Sequence, residues 1–323
     1  MRAVVRDRFG PPDMLEIRDV ETPAPADDEV LVRVRATSVN PADWYGVTGT
    51  PYVGRVEMGL LRPKSNRVGT DLAGTVEAVG RDVTRFRPGD DVFGAKNGAF
   101  AEYVCVREER AIVAKPANVT FEQAAAVPVA AITALQGLRD EGGLKPGQKV
   151  LVNGASGGVG TFAVQIAKAL RAEVTGVCST RNVDLVRSLG ADHVVDYTRE
   201  DFTRSDCRYD LLLDVAGSRG WSECRRVLGP QATLVIVGAP KGNRLLGPLT
   251  HVAKLRLAGV RGSQKVVFFV AKLDQAGMEV LRELLETGQV TPVVERRYEL
   301  GEIAEALRYL GEGHAQGKIV LTV

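Results

Sequence analysis

The sequence predicts an α/β protein in two parts: a first part of short antiparallel strands and a second built on a doubly wound parallel sheet. Three observations carry this prediction. The first third of the chain reads as short strands cut by turns, strand and helix periods take turns after about residue 120, and a glycine-rich turn, "KVLVNGASGGVG", opens the second part.

Taken in order, "EVLVRVRATSVNPAD" sets Val30, Val32 and Val34 against Leu31, Arg33 and Arg35, the period of a half-buried strand, and Asn40-Pro41 then signals a turn into a loop. "GTDLAGTVEAVG", "RPGDDVFGA" and "GAFAEYVCV" are further short strands cut by glycine and Asp-Asp turns, as in a compact antiparallel barrel or sandwich. "VTFEQAAAVPVAAITALQGLRD" is alanine-rich and helical in spacing. Beyond it "KVLVNG" is a strand, and "VGTFAVQIAKAL" places Val159, Phe162, Ala163, Ile166, Ala167 and Leu170 on one helix face. "EVTGVC", "HVVDY", "YDLLLDVAG" and "QATLVIVG" are strands, with "VDLVRSLG" and "SECRRVLG" the helices among them. Strands apolar on both faces belong in a parallel sheet covered by helices. In the tail, "DQAGMEVLRELLETG" and "EIAEALRYLGEG" are amphipathic helices, "VTPVVERRYEL" an exposed strand and "GKIVLTV" a closing strand. The order implies a first domain over 1–122, a parallel-sheet domain over 123–265 and a segment over 266–323 that returns to the first.

With 323 residues, 45% hydrophobic and 25% charged, the composition is that of a globular protein with a sizeable core. A net charge of +2 supplies no global field for nucleic acid or an acidic membrane surface. The densest basic patch is local: Arg55, Arg62, Lys64 and Arg67. No run of roughly 18 apolar residues occurs and "MRAVVRDRFGPPD" lacks a signal-peptide core, so the expectation is a cytoplasmic protein without nucleic-acid or membrane partners. Cys105, Cys178, Cys207 and Cys224 are far apart and form no CxxC pair, which suits reduced thiols.

In a strand-turn-helix unit of this kind, the helix start presents unpaired N–H groups and a positive dipole end, which suits an anion. Gly157 and Gly158 let a pyrophosphate approach the backbone between Ser156 and Val159, and Gly160 lets the helix pack closely on the strand. Strictly, Ala155, Gly157 and Gly160 occupy the three positions of the GxGxxG fingerprint, with alanine in the first. The flanking strand, helix and second strand favour dinucleotide binding over a purely structural turn.

The second strand ends in "GVCSTRN", where an NAD site usually carries an acidic residue. Ser179, Thr180 and Arg181 offer hydroxyls and a guanidinium instead. A carboxylate about 4 Å from a 2′-phosphate charge costs about 4 kcal/mol at an effective dielectric of about 20, and an arginine reverses the sign. NADPH is therefore the expected cofactor. Two readings stand for Arg181, a grip on the phosphate or a solvated charge beside a helix start, and two for Tyr197, a border to the adenosine or a core aromatic.

With these motifs in place, the chain resembles the medium-chain dehydrogenase/reductase superfamily over nearly its whole length. "ATSVNPADWYG", "GTDLAGTVEAVG", "RPGDDVFG", "AAAVPVAAITAL", "GASGGVG" and "GHAQGKIVL" are similar to the zinc-independent quinone oxidoreductase branch, which includes enone reductases and the reticulon-4-interacting-protein type. The resemblance implies a GroES-like, mostly-β catalytic domain, a Rossmann domain and a homodimer. Zinc alcohol dehydrogenases of the superfamily hold their metal through a cysteine, a His-Glu pair and a further cysteine; the first three places here are Asn40, Thr70 and Asp71, and "AAAVPVAAITAL" has no thiol. His193, His251 and His314 fall elsewhere and read as ordinary histidines.

Without a Lewis acid, oxidation of a simple alcohol loses several kcal/mol of charge stabilisation. A quinone or α,β-unsaturated carbonyl instead spreads the charge of hydride addition onto an oxygen that hydrogen bonds can hold. The expected activity is NADPH-dependent hydride transfer to such a small molecule. The alternatives are a non-catalytic NADPH-binding protein with a redox-sensing or structural role, and an NADP-dependent alcohol dehydrogenase.

The resemblance places Asn40, Pro41, Asp43 and Tyr45 beside the nicotinamide and Thr133 near its reactive ring. Asn40 is read as an amide donor to a substrate or cofactor oxygen. Tyr45 and Tyr52 are phenols able to bond an oxyanion or to serve as walls. Lys318 either reaches the cofactor or simply starts a strand. "GVTGTPYVGRVEMGLLRPKSNR", with Met58, Leu60 and Leu61, is a surface loop or an apolar lid. "QKVVFFVAK" is an acceptor-side wall or a strand edge that pairs with another subunit.

Overall fold

A computed structural model describes residues 1–238, 249–259, 263–313 and 315–323 of the chain. His314 lies outside them. The chain divides into two compact units, one of Met1–Ile132, Leu273–Gly288 and Pro292–Val323, the other of Thr133–Lys272 and Gln289–Thr291.

The first unit is organised on the long strand Glu29–Ser38. Val30, Val32 and Val34 are buried there while Arg33 and Arg35 face solvent, so the alternating pattern sets which face packs. This strand pairs antiparallel with Asp71–Val79, Tyr103–Arg107 and Lys318–Thr322. Asp91–Ala95 and Ile112–Ala114 extend the sheet on one side, and Val294–Glu299 joins Lys318–Thr322 in parallel on the other. Leu72, Val76, Val92, Val104 and Ile112 fill the core between these strands. The helix Phe121–Ala125, begun by a Thr120–Gln123 capping box, packs on Glu29–Ser38 and Asp71–Val79 and so keeps the first unit running past residue 120.

One expectation is corrected here. The segment after Asn40-Pro41 is no loop but the helix Pro41–Thr48, closed by Gly49 in the left-handed region. Asn40 is extended and its backbone N–H donates to Asp43 Oδ2 at 2.8 Å, while Pro41 takes the first helical position, where a missing N–H costs nothing. The predicted loop beyond it also contains short helical turns, Tyr52–Gly54 and Arg55–Met58.

The second unit carries six parallel strands in the order His193–Asp196, Glu173–Cys178, Lys149–Asn153, Tyr209–Asp214, Leu228–Ile236 and Lys265–Phe268. The first three run outward in one direction and the last three in the other, so the order reverses between Lys149–Asn153 and Tyr209–Asp214. That reversal is the topological switch point of a doubly wound sheet, and ligands of such folds lie beyond the strand ends there. Asn153 and Asp214 end the two strands, and Asn153 Nδ2 donates to Asp214 Oδ1 at 2.7 Å. Lys265–Phe268, from "QKVVFFVAK", is an edge strand. Among the described residues no helix is long and apolar enough to cross a membrane.

Candidate active site

In the second unit the glycine turn is pinned from behind. The N–H groups of Gly154 and Ala155 both donate to Val177 O on the neighbouring strand, and Ala155 is fully buried. Gly157 is the N-cap of the helix Gly158–Ala169. A Cβ on Gly160 would stand 2.0 Å from Gly154 O, so only glycine lets this helix approach the strand that feeds it. On Gly157 the nearest such atom would be Gly154 O at 3.6 Å, so protein atoms leave that space open. Ser156, Gly158 and Val159 are half-buried around it. The geometry fits an anionic group lying against the first helical turn.

Ser156 is joined to the end of the second strand by a residue the sequence did not single out. Asn182 Nδ2 donates to Ser156 Oγ at 2.8 Å and to Ser179 Oγ at 3.3 Å, so one buried amide holds the glycine turn and the "STRN" turn together. Arg181 is exposed on the short helical turn Thr180–Asn182. Tyr197 is exposed, not core, and its N–H is bonded to Cys178 O. A second unforeseen group is Asp196. Its carboxylate receives Thr180 Oγ1 at 2.6 Å, Thr198 Oγ1 at 2.7 Å and the Thr198 N–H at 3.0 Å, with Arg199 at 3.4 Å. The carboxylate that stands near this turn is therefore already bonded, held below the ordinary aspartate range first by the Thr180 hydroxyl.

The first unit gathers a buried polar cluster at the start of the helix Pro41–Thr48. Asp71 is fully buried: its Oδ2 accepts from Ser38 Oγ at 2.6 Å and Asn40 Nδ2 at 2.8 Å, and its Oδ1 from the Val129 N–H at 2.9 Å. Lys318 Nζ sits among them, donating to Asn40 Oδ1 at 2.5 Å, Asp71 Oδ2 at 3.3 Å and Val39 O at 3.3 Å. Asp43 lies beside this group, held by the Asn40 N–H and by Thr70 Oγ1 at 3.0 Å. Burial, reinforced by the Asp71 charge, raises Asp43 to about 7.

This cluster takes in two of the expected site residues. Asn40 was expected to offer its amide to substrate or cofactor, yet both ends of that amide are engaged by Asp71 and Lys318 inside the protein. Lys318 opens the strand Lys318–Thr322, one of its two expected readings, and places its ammonium in the same buried network. Both hold the helix start in position. Asn40 and Asp43 stand in the N-cap and N3 positions of a capping box, a signal present in "NPAD" that could have revealed the helix; the Lys318–Asp71 contact has no local signal at all.

Of the remaining candidates, Pro41 is exposed at the first helical position and Tyr45 is half-buried, its phenol pushed up by burial. Tyr52 is 41% exposed, with the Arg55 guanidinium carbon 4.6 Å from its ring centre. Thr133 is half-buried in the helix Pro128–Leu135 and opens the second unit. Leu60 and Leu61 are strongly exposed.

Residues 26–117 match the family described as alcohol dehydrogenase GroES-like domain, and residues 189–321 match the one described as zinc-binding dehydrogenase. The chain is 34% identical to the mitochondrial NAD(P)H oxidoreductase RTN4IP1 of Mus musculus, over 92% of this chain and 82% of the relative. It is 31% identical to the chloroplastic quinone-oxidoreductase QR1 of Triphysaria versicolor, over 99% of this chain and 98% of the relative. Among solved structures, the quinone oxidoreductase of Escherichia coli complexed with NADPH superimposes with a TM-score of 0.83 at 25% identity, covering 100% of both chains.

The second family's description raises the question of a metal. Zinc prefers thiolate and imidazole donors. Where zinc relatives place such ligands, this chain brings together an amide, a hydroxyl and a carboxylate with an ammonium already in their midst, and no group of three or more His, Cys, Asp or Glu among the described residues could hold a metal ion. The donor set does not fit a zinc ion. The four cysteines are free thiols. Relatives that align over most or all of both chains, together with the six-strand order and its glycine turn, establish that the chain belongs to the quinone oxidoreductase branch of the medium-chain dehydrogenase/reductase superfamily and is an oxidoreductase.

Proposed function

We propose that this oxidoreductase uses NADPH, works without zinc, and reduces quinones or α,β-unsaturated carbonyls. The observation that carries the reading is the open N-cap at Gly157, ahead of a 12-residue helix and joined through Asn182 to a turn that presents Ser179 and Arg181. When bound, NADPH supplies a hydride.

The residues of the second unit divide the work of holding it. The first-turn N–H groups at Gly158 and Val159 meet the pyrophosphate, Ser156 is oriented by Asn182, and Arg181 meets the 2′-phosphate, with Ser179 beside it. Asp196 is an ionised carboxylate near that turn, and Arg199 at 3.4 Å is the cation that offsets its charge toward the phosphate. In the first unit, the Tyr45 phenol, raised by burial, keeps its proton and donates to the oxygen on which charge develops, with the more exposed Tyr52 as a second donor. Asn40, Asp71 and Lys318 fix the start of the helix that carries Tyr45. Such acceptors need hydrogen bonds where an alcohol would need a Lewis acid. A homodimer belongs to this reading, and the edge strand Lys265–Phe268 is the surface on which a second copy is proposed to add.

The test is the oxidation of NADPH and of NADH with a panel of quinones and 2-alkenals. Turnover with preference for NADPH supports the reading. Tight NADPH binding without turnover across the panel would replace it with a non-catalytic binder, and turnover only with NADP and added alcohol would replace it with an alcohol dehydrogenase.

A further inference from the structure

Arg6 is 8% exposed, and its Nε and Nη1 are buried without a hydrogen-bond partner. A guanidinium removed from water needs acceptors for its donors, and an unsatisfied buried group in a native structure calls for an explanation. The acid whose charge reaches Arg6 is Asp43, but Asp43 oxygens already accept from Asn40 N–H and Thr70 Oγ1. Arg6 Nη1 instead lies along the helix Pro41–Thr48, 3.8 Å from where a Cβ on Gly46 would be.

The Arg6 guanidinium ends a stack. Its Cζ is 5.3 Å from the centre of the Phe9 ring, Arg55 Cζ is 4.6 Å from the same centre, and Arg55 is again 4.6 Å from the Tyr52 ring. Two guanidinia thus flank one ring, with their carbons no more than about 10 Å apart by those distances. The rings hold the cation faces. Arg6 Nε and Nη1 are closed in by protein, so an acceptor meets the stack at Arg6 Nη2 and at the two terminal amines of Arg55. Arg55 directs only its Nε to protein, at Gly49 O.

Apart from Asp43, whose charge reaches Arg6 without an ion pair between them, no acid offsets this stack. Arg6, Arg55, Arg62, Lys64 and Arg67 form no ion pair among the described residues, and Asp7, whose carboxyl feels Arg62, is bridged to Arg18 at 2.6 Å. Glu57 is the one carboxylate within the Arg55–Met58 turn and makes no ion pair there. The same segment exposes apolar side chains, Val56 at 67%, Leu60 at 69% and Leu61 at 89%. Cations without ion pairs, in a segment that also exposes apolar groups and a phenol, suit an apolar molecule that carries a negative charge.

We propose that Arg6 and Arg55, held by Phe9 and Tyr52, form a carboxylate-recognition site, and that the preferred acceptor is a conjugated carbonyl bearing a carboxylate on an apolar body. The proposal rests on the reading of this protein as an NADPH-dependent reductase of such carbonyls. The carboxylate takes no part in the bond changes. With NADPH bound, a hydride would form the new C–H bond at the β-carbon while the π pair moves onto the carbonyl oxygen, a proton from solvent would then add at the α-carbon, and NADP⁺ would be the oxidised product. A partly desolvated arginine bonds a carboxylate through two parallel N–H donors more strongly than through any neutral acceptor, and it does so as the acceptor binds.

The test compares 3-benzoylacrylate with its methyl ester, two enones that differ in one negative charge, using the full chain and NADPH. In the wild type, raising ionic strength should lower kcat/KM for the acid several-fold and leave the ester unchanged. Arg55→Met should lower the acid-to-ester ratio of kcat/KM by about tenfold, mainly through KM of the acid, as expected for loss of one charge-assisted hydrogen bond. Arg6→Met should lower the same ratio, and where that variant fails to fold, Arg55→Met and the salt series decide. A purely structural role for the stack would instead lower kcat for both acceptors and leave the ratio where it was. A ratio unmoved in Arg55→Met with no salt dependence overturns the site, while turnover of the ester leaves the parent reading standing. Absence of turnover with acid, ester and a neutral quinone alike overturns both.

Discussion

Lys318 Nζ lies 3.3 Å from Asp71 Oδ2, and neither side chain reaches solvent to any useful extent, with 4% and 0% exposure. Because Lys318 also bonds Asn40 Oδ1 and Val39 O, one ammonium links the closing strand to the strand Asp71–Val79 and to the start of the helix Pro41–Thr48. Removing one partner of a buried pair leaves an uncompensated charge and costs about 3–5 kcal/mol. Lys318→Met is therefore expected to lower the unfolding free energy by that order. Asp71→Asn combined with it should lose less than the two single losses added, because the double variant buries no unpaired charge. Denaturant unfolding of the four proteins reads this directly, and strict additivity would remove the coupling.

Asp43 gives the fold a pH dependence of definite sign. Its carboxyl is raised to about 7, first by burial and then by Asp71, against an ordinary value of about 3.8. The folded state therefore holds this proton more tightly than the unfolded state does. Its contribution to stability is fully present below about pH 4, and it is lost as pH rises through about 7. Asp43→Asn carries no such proton, so wild type minus variant should fall in stability between those limits and then level off. A difference that is flat with pH, or that rises, would show that Asp43 is ionised throughout.

The two parts of the molecule were legible to different degrees, for a physical reason. Burial of one face writes a period into the sequence. Val30, Val32 and Val34 in the long strand are buried and Arg33 and Arg35 exposed, as the period places them, whereas the helix after the glycine turn is buried without a break from Gly160 to Ala167, on more than the one face its period marks. Asn40-Pro41 reads as a turn in the sequence, and the helix Pro41–Thr48 is marked only by the Asn40–Asp43 capping relation, three residues apart. Lys318 and Asp71 are 247 residues apart, and no local pattern records such a pairing. Arg6 follows Val4 and Val5 and precedes Asp7 and Arg8, a context that marks no buried position; only the packed structure reveals it as buried, with Nε and Nη1 unpaired.

Asn182 joins the two turns expected to hold the cofactor, so its amide should affect binding more than folding. Asn182→Ala removes the bonds to Ser156 and Ser179 and should weaken NADPH and NADH alike by about 1 kcal/mol, roughly fivefold. Arg181→Ala should act differently. Losing a charge-assisted bond to the 2′-phosphate weakens NADPH by about 1–3 kcal/mol and leaves NADH unchanged. Dissociation constants for both nucleotides with both variants separate a positioning amide from a phosphate-reading guanidinium. An Arg181→Ala protein that binds NADPH as the wild type does would end that assignment.

Gly157 and Gly160 stand three residues apart in one turn, and alanine at each should fail for opposite reasons. At Gly160 the added Cβ would lie 2.0 Å from Gly154 O and 2.8 Å from Ala155 backbone atoms, none of which can rotate away. The helix Gly158–Ala169 must then move off its strand, at a cost of about 1–3 kcal/mol in stability. At Gly157 the backbone has φ −81 and ψ 177, which alanine adopts freely, and the nearest atom to the new Cβ is 3.6 Å away. Gly157→Ala should therefore unfold within about 0.5 kcal/mol of the wild type, as a strain-free substitution does. Its methyl group would instead fill the space where a pyrophosphate approaches the first N–H groups, and NADPH affinity should fall at least tenfold. Thermal or denaturant unfolding beside NADPH titration checks both arms: Gly160→Ala should show the larger stability loss and Gly157→Ala the larger loss of affinity, and the reverse order would mean that the open N-cap at Gly157 is not where the nucleotide binds.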